Sequence, residues 1–258
     1  MHLSPEDVIR AKRQLLEMHY RNRIGHLGGN LSALDAMLLL HHELMGQRDR
    51  FILSKGHSAG AYYITLWSLG LITETELTTF HQDGTRLSGH PPAQGIPQIL
   101  FSTGSLGHGL SLAAGLALAA RLKGEARRVF CLTSDGEWQE GSTLEALIFI
   151  CHHNLSNLTI LVDHNGLQGF GTTAEVASMD PLDAKLTGFE IDLRRCDGHD
   201  LQALRDTLTP MSNRPVAVIM DTRKGHGVPD FEGRMESHYL PPTEPQYQAA
   251  MADLDGRP

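Results

Sequence analysis

Two continuous apolar runs, RVFCLT from Arg128 and LTILVD from Leu158, stand one helix apart in the sequence, and this spacing constrains the fold more than any other feature. Between them lie the turn SDGEWQEG, the helical stretch STLEALIFICHH and the loop NLSN; after them comes the turn HNGLQGFG. The order is that of a βαβ unit. Neither run alternates apolar with polar residues, so both read as parallel strands covered by helices on both faces. FEIDLRR, a helix from Asp200 and PVAVIMDT repeat the alternation. The predicted class is α/β, a parallel sheet between two helical layers.

The remaining segments extend this plan. Ser-Pro-Glu-Asp at Ser4 is a helix start, and apolar residues continue at helical spacing to about Tyr20. A second helix is expected from Ser32, after the glycine-rich GHLGGN; RFILS reads as a short strand and Ser58 to Leu69 as an apolar helix. The glycines and prolines of TETELTTFHQDGTRLSGHPPAQGIPQI mark a long surface excursion. A glycine turn from Gly104 to Gly109 then opens an alanine- and leucine-rich helix. At 258 residues one domain over 1–258 suffices, with a loop-rich tail from about residue 226.

Composition narrows the class of function. A formal net charge of -8 argues against a general nucleic-acid binder, which needs a basic face. No apolar run reaches the roughly 18 residues that span a bilayer, and MHLSPEDVIRAKRQ carries no signal-peptide core, so a cytoplasmic location is expected. Cys131, Cys151 and Cys196 lack metal-ligand spacing and read as reduced thiols.

In a right-handed βαβ unit both strands end at the same sheet edge, where open α/β sheets bind ligands. Asp135 and Asn165 follow those two strand ends. A carboxylate beside an amide oxygen suits a hard cation such as Mg2+ or Ca2+, with the Leu167 carbonyl a further candidate ligand. In isolation Asp135 could merely cap a helix and Asn165 occupy a turn. The surrounding DG, the Glu140-Gly141 pair and DHN add too many turn-specific features for that reading. Gly136, with no side chain, would let its amide approach a ligand closely.

The pattern Ser134-Asp135-Gly136 followed by Asp163-His164-Asn165 resembles the thiamine diphosphate enzymes. GHLGGN, DRFILSKGH, SGHPP, STGSLGHG, SDGEWQEG, DGHD and RKGHGV, in that order, sharpen the resemblance to transketolases over most of the chain. It implies the thiamine diphosphate-binding fold, with thiamine diphosphate as cofactor. By the resemblance His57 contacts the diphosphate, and Gly104, Ser105 and Leu106 lie against the aminopyrimidine side. His26 and His90, with His238 in ESHYLPP, line the substrate channel as proton carriers. Glu140 either joins a carboxylate network across an interface or is a helix-dipole acid. Arg223 and Lys224 could face phosphate or be a solvated strand-end pair.

Transketolases also need a pyrimidine-binding domain with a catalytic glutamate, and this sequence shows no further strand-helix alternation after HYLPPTEPQYQ. The resemblance therefore implies the N-terminal subunit of a two-subunit enzyme that moves a ketol unit from a ketose to an aldose. A C-terminal transketolase subunit is the expected partner in a heterotetramer. The alternatives are a 2-oxo acid dehydrogenase subunit, part of a deoxyxylulose phosphate synthase, or a non-catalytic module.

Overall fold

The computed structural model describes residues 2–256. Helix α1 (Pro5–Asn22) starts where the sequence placed it: the Ser4 hydroxyl accepts from the Asp7 amide, the Asp7 carboxylate accepts from the Ser4 amide, and Pro5 needs no partner. Helix α2 (Leu27–Leu39) begins five residues before the expected Ser32, so the glycines of GHLGGN are helical. Their reason is packing, since a Cβ on Gly28 would overlap Ser237 and come within 2.9 Å of Lys224. Strand β1 (Arg50–Leu53) and helix α3 (Ala59–Ser68) follow, then the single turn α4 (Glu74–Leu77). The long excursion beyond it is pinned to the core by the buried Phe80, Leu87, Ile96 and Ile99.

Helix α5 (Gly109–Leu122) leads into the βαβ unit of β2 (Val129–Ser134), α6 (Gly141–His152) and β3 (Leu158–His164). A small antiparallel hairpin, β4 (Leu167–Gln168) with β5 (Gly171–Thr172), precedes the short helices α7 (Thr173–Ala177) and α8 (Leu182–Leu186). Strand β6 (Asp192–Asp197), helix α9 (Leu201–Leu208) and strand β7 (Val216–Asp221) complete the alternation. The region from about 226, expected to be loop-rich, contains α10 (Glu236–Tyr239) and the three-turn α11 (Glu244–Asp255). Helix α11 buries Ala250 and Leu254 and stacks Tyr247 on Tyr20 of α1 at 4.1 Å.

The five long strands form one parallel sheet in the order β1-β2-β3-β7-β6. Alternate residues of each strand serve separate cores. Phe130, Leu132 and Val218 pack with α1, α2 and α3, while Val129, Cys131 and Ile219 pack with α5 and α6. The continuous apolar runs of β2, β3 and β7 are thus required by two covered faces. Among the described residues no helix is long and apolar enough to cross a membrane.

The topology also gathers chemistry. β1, β2, β3 and β7 are adjacent and parallel, so Lys55, Asp135, Asn165 and Lys224, each just beyond a strand's C-terminal end, meet at one sheet edge.

Candidate functional site

A cavity of about 280 Å³ opens at that edge, lined by residues from nearly every strand end, among them His26, His57, His90 and Asp135. Gly104, Leu106, Gly136, Asn165, Leu167 and His238 also face it. Ser105, expected beside the aminopyrimidine, does not, and neither does Glu140, for which an interface network or a helix-dipole place was expected. Ser105 and Glu140 are exposed and lie outside the lining. Glu140 is instead the N-cap residue of α6, against Gly107.

Asp135 is buried at the end of β2. One carboxylate oxygen accepts from the Gly136 amide at 2.8 Å and the other from the Gly166 amide at 2.6 Å. The Gly136 amide, expected to point at a ligand, is thus committed to its neighbour. Burial, and then the charge of Asp163, raise the Asp135 carboxyl to about 6, against the pull of the two amides. A buried carboxylate with that much uncompensated charge fits a cation. Asn165 turns its side-chain oxygen to the Leu167 amide at 3.1 Å, an Asx turn that holds the Leu167 carbonyl beside the carboxylate's strand end. Asp135, Asn165 and the Leu167 carbonyl thus bring oxygens of the kind a hard cation takes to one strand edge, and the Leu167 carbonyl here accepts from the Lys224 ammonium at 3.1 Å.

The four histidines close one side. The His26 ring stands 5.9 Å from His57, 6.0 Å from His90 and 5.1 Å from His238. His26 has a left-handed backbone, φ 65°, and its amide donates to the His238 carbonyl at 2.8 Å, tying α2 to α10. Burial, followed by neighbouring imidazoles and Lys224, lowers His26 to about 4; burial and then Lys224 lower His238 to about 3. His57 and His90 are also lowered, first by burial. All four are neutral near pH 7, each offering one donor and one acceptor.

Lys224 is 2% exposed, which sets aside the solvated reading; its neighbour Arg223, with a side chain 73% exposed, keeps it. The Lys224 ammonium donates to the Leu167 carbonyl at 3.1 Å and to His238 Nδ1 at 2.8 Å. Burial and Lys55 lower it to about 8, partly opposed by Asp135 and Asp163. The sequence offers RKGHG as a motif, but only the pairing of β7 with β3 turns this lysine inward.

The glycine turn owes its shape to an acid that the sequence did not single out. Glu137 is fully buried, accepts from the Gly107 amide at 2.9 Å and the Ser134 amide at 2.9 Å, and binds the Ser54 hydroxyl. It ties the ends of β1 and β2 to the turn. Gly104, at φ 144°, has no room for a side chain, because a Cβ would sit 2.8 Å from the His90 ring. Replacing Glu137 by alanine strands three buried donors and should cost about 3 kcal/mol. Denaturant unfolding of E137A measures it, and an unchanged midpoint would remove the clamp.

The pattern described as "Transketolase, thiamine diphosphate binding domain" matches residues 21–254. The chain belongs to the transketolase family. It is 37% identical over 241 residues to a protein named as one subunit of the apulose-4-phosphate transketolase of Actinobacillus succinogenes, covering 89% of this chain and 87% of that protein. It is 35% identical over 258 residues to the protein of the same name from Phocaeicola vulgatus, covering 95% of this chain and 92% of that one. The solved transketolase of Leishmania mexicana superposes with a TM-score of 0.90 at 26% identity, covering 99% of this chain. This transketolase chain spans 42% of that one's length. The parallel sheet read from the sequence is thus the thiamine diphosphate-binding fold, and nearly full-length similarity to proteins named as single subunits of transketolases fits the N-terminal subunit of a split transketolase.

Proposed function

We propose that this chain holds thiamine diphosphate through a divalent cation, Mg2+ or Ca2+. With a C-terminal transketolase subunit that supplies the pyrimidine-binding domain and catalytic glutamate, it forms a heterotetramer that transfers a two-carbon ketol unit from a ketose to an aldose. The observation that carries the reading is the meeting of Asp135, Asn165, Lys224 and four neutral histidines around one cavity. Exposed apolar side chains on the neighbouring α5 and α6, Leu122 (78%) and Ile148 (59%), support a protein partner.

The cofactor supplies the chemistry that breaks and remakes a carbon–carbon bond beside a carbonyl. Asp135, Asn165 and the Leu167 carbonyl hold the cation that neutralises the diphosphate. Lys224 and His57 add donors to it. Gly104 and Leu106 shape the wall against the aminopyrimidine. His26, with the neutral rings of His90 and His238 at 6.0 Å and 5.1 Å from its own, exchanges protons with substrate hydroxyls together with them. Relatives named for apulose-4-phosphate make a phosphorylated ketose the first substrate to try.

The test is calorimetry with thiamine diphosphate and magnesium on the assembled pair. D135A should weaken binding at least about 100-fold, since a cation loses its one carboxylate. Binding equal to the parent's would refute the metal assignment. Absence of ketol transfer from apulose-4-phosphate, with transfer from another ketose, would move the substrate but not the reaction.

A further inference from the structure

The DGHD motif, Asp197 to Asp200, lies outside the cofactor cavity, yet it lines a second concavity of about 450 Å³ with Asp221, Thr222, Arg223 and His226. At its back, ligand atoms of Asp35, His199 and His226 lie within 4.8 Å of one another, a composition that invites a metal. The hydrogen bonds oppose it. The Arg223 amide donates to His199 Nε2 at 2.9 Å, so that nitrogen carries the lone pair and Nδ1 carries the proton, which goes to Asp35 Oδ2 at 2.8 Å. No lone pair of His199 is left for an ion, and the Lys12 ammonium already stands 3.1 Å from Asp35 Oδ1.

The same bonds make a strut. Lys12 of α1 and Asp35 of α2 are buried and hold His199, whose ring stacks on His226 at 3.5 Å. Gly198 leaves the turn wedged under the end of β7, where a Cβ would overlap the Thr222 side chain. The strut ends on the amide of Arg223, the residue before Lys224. On one side the Thr222 amide donates to the His164 carbonyl at 3.2 Å and its hydroxyl to Asp163, and on the other the Gly225 amide donates to the Gly28 carbonyl at 2.9 Å, so the Arg223 amide between them is held by His199.

We propose that His199, oriented by Asp35, is a positioning residue that fixes the Arg223 backbone and so aims the Lys224 ammonium into the cofactor cavity. The inference rests on the reading of that cavity as the diphosphate site. It assigns DGHD a mechanical role at a distance from the chemistry, through one amide hydrogen bond.

Two near-isosteres separate the two ends of the imidazole. In H199N the amide nitrogen replaces Nδ1 and keeps the Asp35 contact but cannot reach Arg223. In H199Q the amide oxygen replaces Nε2 and keeps the Arg223 contact. Hydrogen exchange read by mass spectrometry on the full chain should show peptides covering 222–225 exchanging about tenfold faster in H199A and H199N, and near the parent rate in H199Q. Affinity of the assembled enzyme for thiamine diphosphate with magnesium should fall about tenfold in H199A and H199N, more than kcat at saturating cofactor, with H199Q restoring it. Unchanged exchange in H199A, or H199Q no better than H199N, overturns the strut. Faster exchange with unchanged affinity overturns its link to Lys224. A parent enzyme that binds no thiamine diphosphate sinks the cofactor reading, while the exchange rates still decide the strut.

Discussion

Lys55→Met should lower stability by about 3–5 kcal/mol, a third or more of what a domain of this kind has to lose. Lys55 and Asp163 are an ion pair with no solvent exposure between the ends of β1 and β3. The Lys55 ammonium also donates to the Gly29 carbonyl at 3.1 Å. Asp163 accepts from the Ser32 hydroxyl at 2.6 Å and from the Thr222 hydroxyl. Burial alone would raise the Asp163 carboxyl, but the Lys55 charge and these donors outweigh it and hold the group below its ordinary range. Methionine keeps most of the volume and removes the ammonium in contact with that carboxylate, leaving a buried charge whose side-chain partners among the described residues are the Ser32 and Thr222 hydroxyls. The double variant K55M/D163N should recover more than half of the loss, because the amide oxygen still accepts from Ser32 or Thr222 with no charge to compensate. The single loss corresponds to a melting temperature lower by about 10 °C. A shift within about 2 °C would show that the pair contributes nothing net.

That pair marks the boundary of what the sequence could tell. The sheet was legible because two covered faces demand unalternating apolar runs in the middle of β2, β3 and β7, a pattern visible in one dimension. The positions of Asp135 and Asn165 at one sheet edge were legible because both follow strand ends, a local feature, whereas the histidines were singled out by the resemblance of their motifs. Lys55, Asp163, Glu137 and Lys224 were not legible, since each is fixed by partners far away in sequence: Asp163 by Ser32 and Thr222, Glu137 by Ser54 and Gly107. Nothing local separates a buried lysine from a solvated one; only strand order, which puts β7 beside β3, brings Lys224 inward. The early start of α2 was missed for a related reason. Glycines that read locally as a turn are there because Ser237, Lys224 and His57 pack against them.

Acid should destabilise the protein through its buried histidines, and two of them, remote from the oxygen donor set, add to the share of the cavity histidines His26 and His238. His19 donates Nδ1–H to the Ile24 carbonyl at 3.1 Å, and its Nε2 has no hydrogen-bond partner among the described residues. His41 donates Nδ1–H to the Met37 carbonyl at 2.8 Å between the rings of Phe51 and Tyr62. Burial lowers both to about 4 from 6.5, against their carbonyl partners, because protonation would put a charge and an unpaired N–H in the core. The folded state thus binds protons less readily than the unfolded chain. Stability is complete above pH 6.5 and falls as pH drops towards 4, by about 1.4 kcal/mol per pH unit for each histidine in that window. Across the whole window the pair costs about 6 kcal/mol, comparable with the whole of a typical stability. Asp135, raised to about 6, works in the opposite sense and offsets part of this, whereas the ion-paired Asp35 and Asp163 lose their contribution only below the ordinary carboxylate value of 3.8. Single variants isolate the histidine share. Urea unfolding at intervals from pH 7 to about 4.5 should give H41Q a pH slope shallower than the parent's by about 1.4 kcal/mol per unit, with H19F shallower by as much again when combined. Parallel slopes would mean that the rings are protonated in the fold or reached by water, and that burial is not what holds them neutral.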